Sequence, residues 1–197
     1  GNLLGGEQSG HIADVGFDLY MRMVGEAVQG YKTGFIETEE PNHECKIEIP
    51  INAHLPEEYV PGERLRLDLY RRLADVQSDA DVDSIAAELI DRFGELPIQA
   101  IDLLDSVRLK WFAKQLGLEK VVLKQKRMIG YFISNQQSEF YQTKAFTTVL
   151  KYVQQNPTTS VIKEKQTKAG LRLLITFIKI DSVETALKRL KKVANLS

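Results

Sequence analysis

The chain has 197 residues, 43% of them apolar and 27% charged, a composition that excludes wholesale disorder and is long enough for one or two cored domains. Its net charge of −1 hides a division: residues 1–106 carry 22 acidic and 8 basic side chains and residues 107–197 carry 5 and 18, balances of −14 and +13. No apolar run approaches the roughly 18 residues of a membrane span, the longest, Leu171 to Ile180, being broken by Arg172 and Lys179.

Residues 1–10 are Gly-rich and polar and read as loop; the opening Gly1-Asn2-Leu3-Leu4 has no initiator Met, basic n-region or signal-peptide core, which reads as a cut inside a longer protein. Ile12, Val15, Leu19, Met23 and Ala27 recur at helical spacing and predict a helix stopped by Gly30. Residues 31–46 are acidic and irregular, the best linker in the chain. From Cys45 to Ile51 the alternation of Ile47, Ile49 and Ile51 predicts a strand, and Pro50 places it at an edge or an end. Pro56 and Pro61 bracket a turn.

Leu65, Leu69, Leu73 and Val76 then predict a helix, although Leu65 to Leu69 also fits a strand. The acidic break from Ser78 to Asp83 is rich in capping residues, with Asp81 or Asp83 expected to accept the free amides of the next helix. That helix is the clearest in the chain: Val82, Ile85, Ala86, Leu89, Ile90 and Phe93 form one apolar stripe, Gly94 ends it and Pro97 forbids its continuation. A second runs from about Ile98 to Leu116 on a stripe of Ile101, Leu104, Val107 and Trp111, closed by Gly117.

The remainder predicts two hairpins and two helices. Lys120 to Leu123 pairs with Gly130 to Ser134 around Gln125-Lys126-Arg127, and Val161 to Lys165 pairs with Leu171 to Lys179 around Lys168-Ala169-Gly170. Phe140 to Gln154 lies between them as a helix. Ser182 to Ala194 is the last helix, with Val183, Ala186, Leu187, Leu190 and Val193 facing inward. The fold class expected is α+β: an N-terminal connecting helix, a helical lobe, then small antiparallel β hairpins with flanking helices.

Motifs that carry chemistry are absent. There is no Gly-x-x-x-x-Gly-Lys-Ser/Thr phosphate loop, and Gly1, Gly5 and Gly6 follow no strand. His43, Cys45 and His54 match no standard zinc spacing, and a Cys45–His43 nucleophile would sit in an acidic segment that disfavours the thiolate. The single cysteine allows no internal disulfide, which suits a reducing cytoplasm. Glu39/Glu40 and Glu57/Glu58 read as solvated loop charges. A nucleic-acid surface is harder to dismiss, since Lys124, Lys126, Arg127, Lys163, Lys165, Lys168 and Arg172 lie largely near hairpin turns, although the lysines of this half are scattered along the chain. Stacking would require exposed Tyr131, Phe140 or Tyr141, whereas Phe132 and Phe177 read as core. The competing reading is of two oppositely charged lobes that neutralise each other.

Two stretches carry a resemblance. The first is Gly1 to Ile12 (GNLLGGEQSGHI), with Val15-Gly16-Phe17-Asp18-Leu19-Tyr20 after it. It resembles the end of the translocation motif shared by the transcription-repair coupling factor family and the fork-regression helicase RecG. Gln8, Ser9 and Gly10 form the motif's core, and Gln8 matches the family's functional glutamine. The second is Glu88 to Pro97 (ELIDRFGELP), flanked by Pro56 to Pro61, Leu65-Arg66-Leu67, Tyr70 to Ala74 and Ala113-x-x-Leu116-Gly117. It resembles the central signature of the same family's C-terminal domain.

The resemblance implies a fragment of a bacterial ATP-dependent DNA translocase that displaces stalled RNA polymerase and recruits excision repair in the cytoplasm. The parent would bind duplex DNA, RNA polymerase and UvrA, with ATP and Mg in its motor domains; this fragment would hold no cofactor, catalytic residue, metal or membrane contact. Residues 1–30 would be the motif end and connecting helix, 31–46 the linker, and 47–197 a regulatory α+β domain that covers the N-terminal UvrA-binding module until activation. The surface expected to make that contact is Glu88, Asp91 and Arg92, outward if Leu89, Ile90 and Phe93 are buried; the simpler alternative is an intrahelical Glu88–Arg92 ion pair. The runner-up function is a DNA- or RNA-polymerase-contacting module using the basic half.

Overall fold

The structure is a computed structural model and describes residues 45–168 and 170–195. Gln8, Ser9, Gly10, His43, the helix expected over 12–27 and the linker up to residue 44 lie outside the described residues. Two units are present: Ile51–Val107, and a second built from residues 45–50 together with 108–195. The change from acidic to basic composition falls at this same boundary.

The first unit is helical. Helix α1 spans Glu63–Ala74, α2 spans Asp79–Phe93, and α3 spans Ile98–Gln115, whose residues after Val107 belong to the second unit. The segment Leu65 to Leu69, ambiguous in sequence, is helical, with Leu69 and Leu73 in the core. That core joins Leu55, Val60, Leu69, Leu73, Val82, Ile85, Leu89, Leu103, Leu104 and Val107. Two tyrosines tie the loop before α1 to it: Tyr70 Oη accepts from the Leu55 amide (2.8 Å), and Tyr59 Oη donates to the Gly94 carbonyl (2.8 Å).

Three expectations are corrected here. The cap of α2 is Ser78, whose Oγ accepts from the Asp81 amide at 3.2 Å; Asp81 instead turns its carboxylate back onto the Gln77 amide at 2.8 Å, and Asp83 is exposed within the helix. Serine reaches the first-turn amides with its short side chain, while the aspartate three positions on reaches past the cap to the amide of the residue before it. Ile90, placed in the apolar stripe by spacing, is 50% exposed, and Ile101 is 39% exposed. In α3 Leu104 and Val107 of the predicted stripe are buried, together with Ala100, Leu103, Ser106, Leu109 and Ala113, so it is Ile101 that falls outside the buried surface. A core this small covers only one side of each broad stripe.

The second unit is a five-stranded mixed sheet in the order β1-β2-β3-β5-β4. Its strands are β1 Lys46–Glu48, β2 Leu118–Lys124, β3 Arg127–Phe132, β4 Ser160–Thr167 and β5 Gly170–Ile178. The two hairpins form as predicted, the first turning on Gln125 and Lys126 alone, with Lys124 opposite Arg127. Both turn residues have positive φ (51° and 57°), the backbone of a type I′ turn whose twist matches the strands it joins. The sheet is not wholly antiparallel, because β1 pairs parallel with β2, Ile47 opposite Val121. It ends at Glu48, two residues before Pro50, at the sheet edge.

Helices α4 (Lys144–Gln155) and α5 (Val183–Ala194) pack on each other. They cover the sheet face that presents Phe132, Ile175 and Phe177, with Tyr152 against the Phe177 ring. The segment expected as one helix from Phe140 is interrupted at Thr143, which is extended (ψ 160°) and caps α4 after a short 3₁₀ turn, Glu139–Gln142. The inward stripe of α5 is as predicted, Val183, Ala186, Leu187, Leu190 and Val193 all being buried.

Candidate functional site

The candidate contact surface is the C-terminal half of α2. Burial of Val82, Ile85 and Leu89 fixes the helix's rotation, and Gly94 (φ +88°) terminates it just beyond the site. Asp91, Arg92 and Glu95 are exposed, as expected from that rotation.

Glu88 is placed differently from a free surface charge. It accepts two hydrogen bonds from Arg72 on α1, at 2.6 and 3.1 Å, and one from Arg92 at 3.3 Å. The Glu88–Arg92 pair weighed from spacing is therefore present, joined by a fork from a second helix. The Arg72 hydrogen bonds, aided by both guanidinium charges, hold the Glu88 carboxyl below the usual glutamate range, and the same bonds raise the Arg72 pKa. Arg92 in turn lies over the Phe93 ring, 5.1 Å from its centroid. Of the three predicted site residues, Asp91 alone has no protein partner among the described residues. The missed residues are Arg72, whose role depends on a pairing between helices, and Ile90, which local spacing turned inward.

In the basic unit, Arg172 bonds Glu119 at 2.7 Å and Lys124, Lys126, Arg127, Lys163, Lys165 and Lys168 are exposed. Phe132 and Phe177 are buried, as read from sequence. Phe140, Tyr141 and Phe146 pack edge-to-face in one cluster, and Tyr141 Oη donates to the Ile133 carbonyl, so these rings serve packing. Cys45 is buried and His54 lies 3.2 Å from the Asn52 carbonyl. Among the described residues no cluster of three His, Cys, Asp or Glu could hold a metal, and no helix is long and apolar enough to cross a membrane.

Comparison with known proteins gives a concordant result. The family model of the TRCF domain matches residues 49–143. The transcription-repair-coupling factor of Staphylococcus epidermidis is 35% identical over 187 residues, covering 90% of this chain and 16% of that protein. Those of Mycobacterium bovis and Escherichia coli are 43% and 38% identical, each over 61% of this chain and 10% and 11% of their own lengths. The chain thus spans only about a tenth to a sixth of these relatives. A crystal structure of the C-terminal domain of transcription-repair coupling factor superposes with a TM-score of 0.60 at 19% identity, covering 79% of this chain and 96% of that one, which establishes the shared fold. The chain belongs to the transcription-repair coupling factor family and carries its TRCF domain.

Proposed function

We propose that this chain is the non-catalytic, autoinhibitory C-terminal part of a cytoplasmic, ATP-dependent DNA translocase that couples transcription to nucleotide excision repair, and that it masks the N-terminal UvrA-binding module until activation. In this reading the parent binds duplex DNA, stalled RNA polymerase and UvrA, and its motor domains hold ATP and Mg. Gln8, Ser9 and Gly10 are the end of its translocation motif.

The observation that carries the masking role is the make-up of the α2 surface. Ile90 is 50% exposed, beside Asp91 and Arg92 and in the same helical stretch as Glu95. An apolar anchor within a charged rim is the anatomy of a reversible interface. A cover tethered to its own target needs little affinity, because the tether supplies a high effective concentration. A modest, salt-sensitive contact can therefore hold and still release.

The test is a titration of the 197-residue chain against the UvrA-binding module of the same parent at two salt concentrations. We expect binding that weakens with salt, and that Asp91→Ala and Ile90→Ala reduce by a few-fold and by roughly tenfold. In the full-length parent, Glu88→Ala with Asp91→Ala should raise UvrA binding. Arg72→Ala serves as control, since it breaks the same ion pair without altering the proposed contact. No binding in trans, together with unchanged UvrA access in the double variant, would remove the masking role.

A further inference from the structure

The sheet of the second unit has one face covered by α4 and α5, and the pairing register assembles a different surface on the other. One cross-strand row reads Lys46, Lys120, Tyr131, Leu174 and Lys163, from β1 to β4. Arg172 sits opposite Lys165 on one side of this row, and Lys124 opposite Arg127 closes the other end of the face. Seven cations thus share a face with two carboxylates. Glu48 lies 3.5 Å from both Lys46 and Lys120, and Glu119 binds Arg172. Among the described residues, Lys124, Arg127, Lys163 and Lys165 have no carboxylate partner.

We propose that this open face binds the phosphate backbone of duplex DNA. Charge complementarity selects a polyanion, and the arrangement selects a duplex over a single strand. A single strand is held chiefly by stacking on free aromatic rings. Among the described residues, the one ring in these strands on this face, Tyr131, already carries Lys120 and Arg172 at 5.3 and 5.4 Å from its centroid, while Phe132 and Phe177 are buried on the other face. Lys120 on β2 and Lys163 on β4 stand three strand spacings apart, about 14 Å, comparable with a major groove about 12 Å wide. The two cation groups can therefore meet phosphates on both sides of one groove. Tyr131, capped by two cations, and Leu174 lie between them, with Val122, Ile129 and Thr176 in the next row, and this surface offers no set of polar groups to read base edges, so binding is independent of sequence.

The experiment is fluorescence anisotropy of a labelled duplex of about two helical turns, titrated with the full chain across a salt series. A net excess of about five cations predicts a slope of log affinity against log salt near −4.5, a loss on the order of 500-fold between 50 and 200 mM salt. Lys163→Gln with Lys165→Gln, both exposed on an edge strand, should flatten the slope by about two units. Lys188→Gln with Lys192→Gln, on the helix that covers the opposite face, should leave it unchanged. A single strand of equal length should compete more weakly than unlabelled duplex. The proposal is overturned by no binding at 50 mM salt, by equal effects of the two double variants with circular dichroism unchanged, or by competition from single strand or polyglutamate as strong as from duplex. The last result would assign the face to an acidic protein surface or another polyanion.

Discussion

Glu88 serves two roles in the reading above, one in holding α1 to α2 and one in the proposed contact, and a double-mutant cycle with Arg72 isolates the first. The Arg72–Glu88 fork is short and bidentate (2.6 and 3.1 Å), which favours a measurable coupling. Its side chains are 46% and 34% exposed, so solvent screening reduces what the geometry would otherwise deliver. The expected coupling is about 0.5–1 kcal/mol at low salt, with roughly 0.3–0.5 kcal/mol for the Glu88–Arg92 pair. The two units need not unfold together, so the readout should be local: native-state hydrogen exchange of the α2 amides in the wild type, Arg72→Ala, Glu88→Ala and the double variant. The pH dependence has a fixed sign. Because the folded carboxyl is held below its usual value of 4.5, the coupling is fully present above that value and fades as pH falls through the depressed folded pKa. A coupling below about 0.2 kcal/mol at neutral pH, or one that survives full protonation of the carboxyl, would refute the assignment of the fork as the link between the helices.

Two further outcomes concern the sheet. Gly130→Ala puts a Cβ 2.9 Å from Leu118 Cδ1 and 3.0 Å from Ile175 Cγ2, both buried, and Ile175 is β-branched and stiff; a loss of about 1–3 kcal/mol is expected in urea unfolding followed by the single tryptophan, Trp111, and a change under 0.5 kcal/mol would show that the neighbours relax freely. Gln125→Asn with Lys126→Gly fits the two positive-φ turn positions, so it should stabilise the hairpin by up to about 1 kcal/mol in the same assay, and destabilisation would argue against a type I′ turn.

The parts legible in sequence were those set by local periodicity. The α5 stripe, the core positions of α2 and both hairpins follow from spacing and turn chemistry, because each is decided within a dozen residues. What escaped was non-local. Nothing near Lys46 announces a parallel partner at Lys120, and nothing near Glu88 announces Arg72 from the preceding helix. Ile90 and Leu89 are neighbours 100° apart on the helix, and which of them meets the core depends on where α1 and α3 lie. The site was therefore legible as a stretch of helix, but not as an ion-paired Glu88 beside a half-exposed isoleucine. In the basic half, the lysines near the turns were visible, whereas the contribution of Lys46 and Lys120 to the same face needed the register.

The placement of β1 bears on how the chain assembles. Its partner β2 comes only after the whole of Ile51–Val107, so their pairing closes the longest loop between adjacent strands of the sheet. Closing such a loop through an unfolded segment is slow, and prior collapse of the intervening helices shortens it. During vectorial synthesis β1 emerges early, waits unpaired while the helical unit condenses, and is annealed onto the edge after the β2–β3 hairpin has formed. Cys45, next to β1 and buried in the finished fold, is open to thiol reagents until β1 docks, so the rate at which it becomes protected times the pairing of β1 with β2.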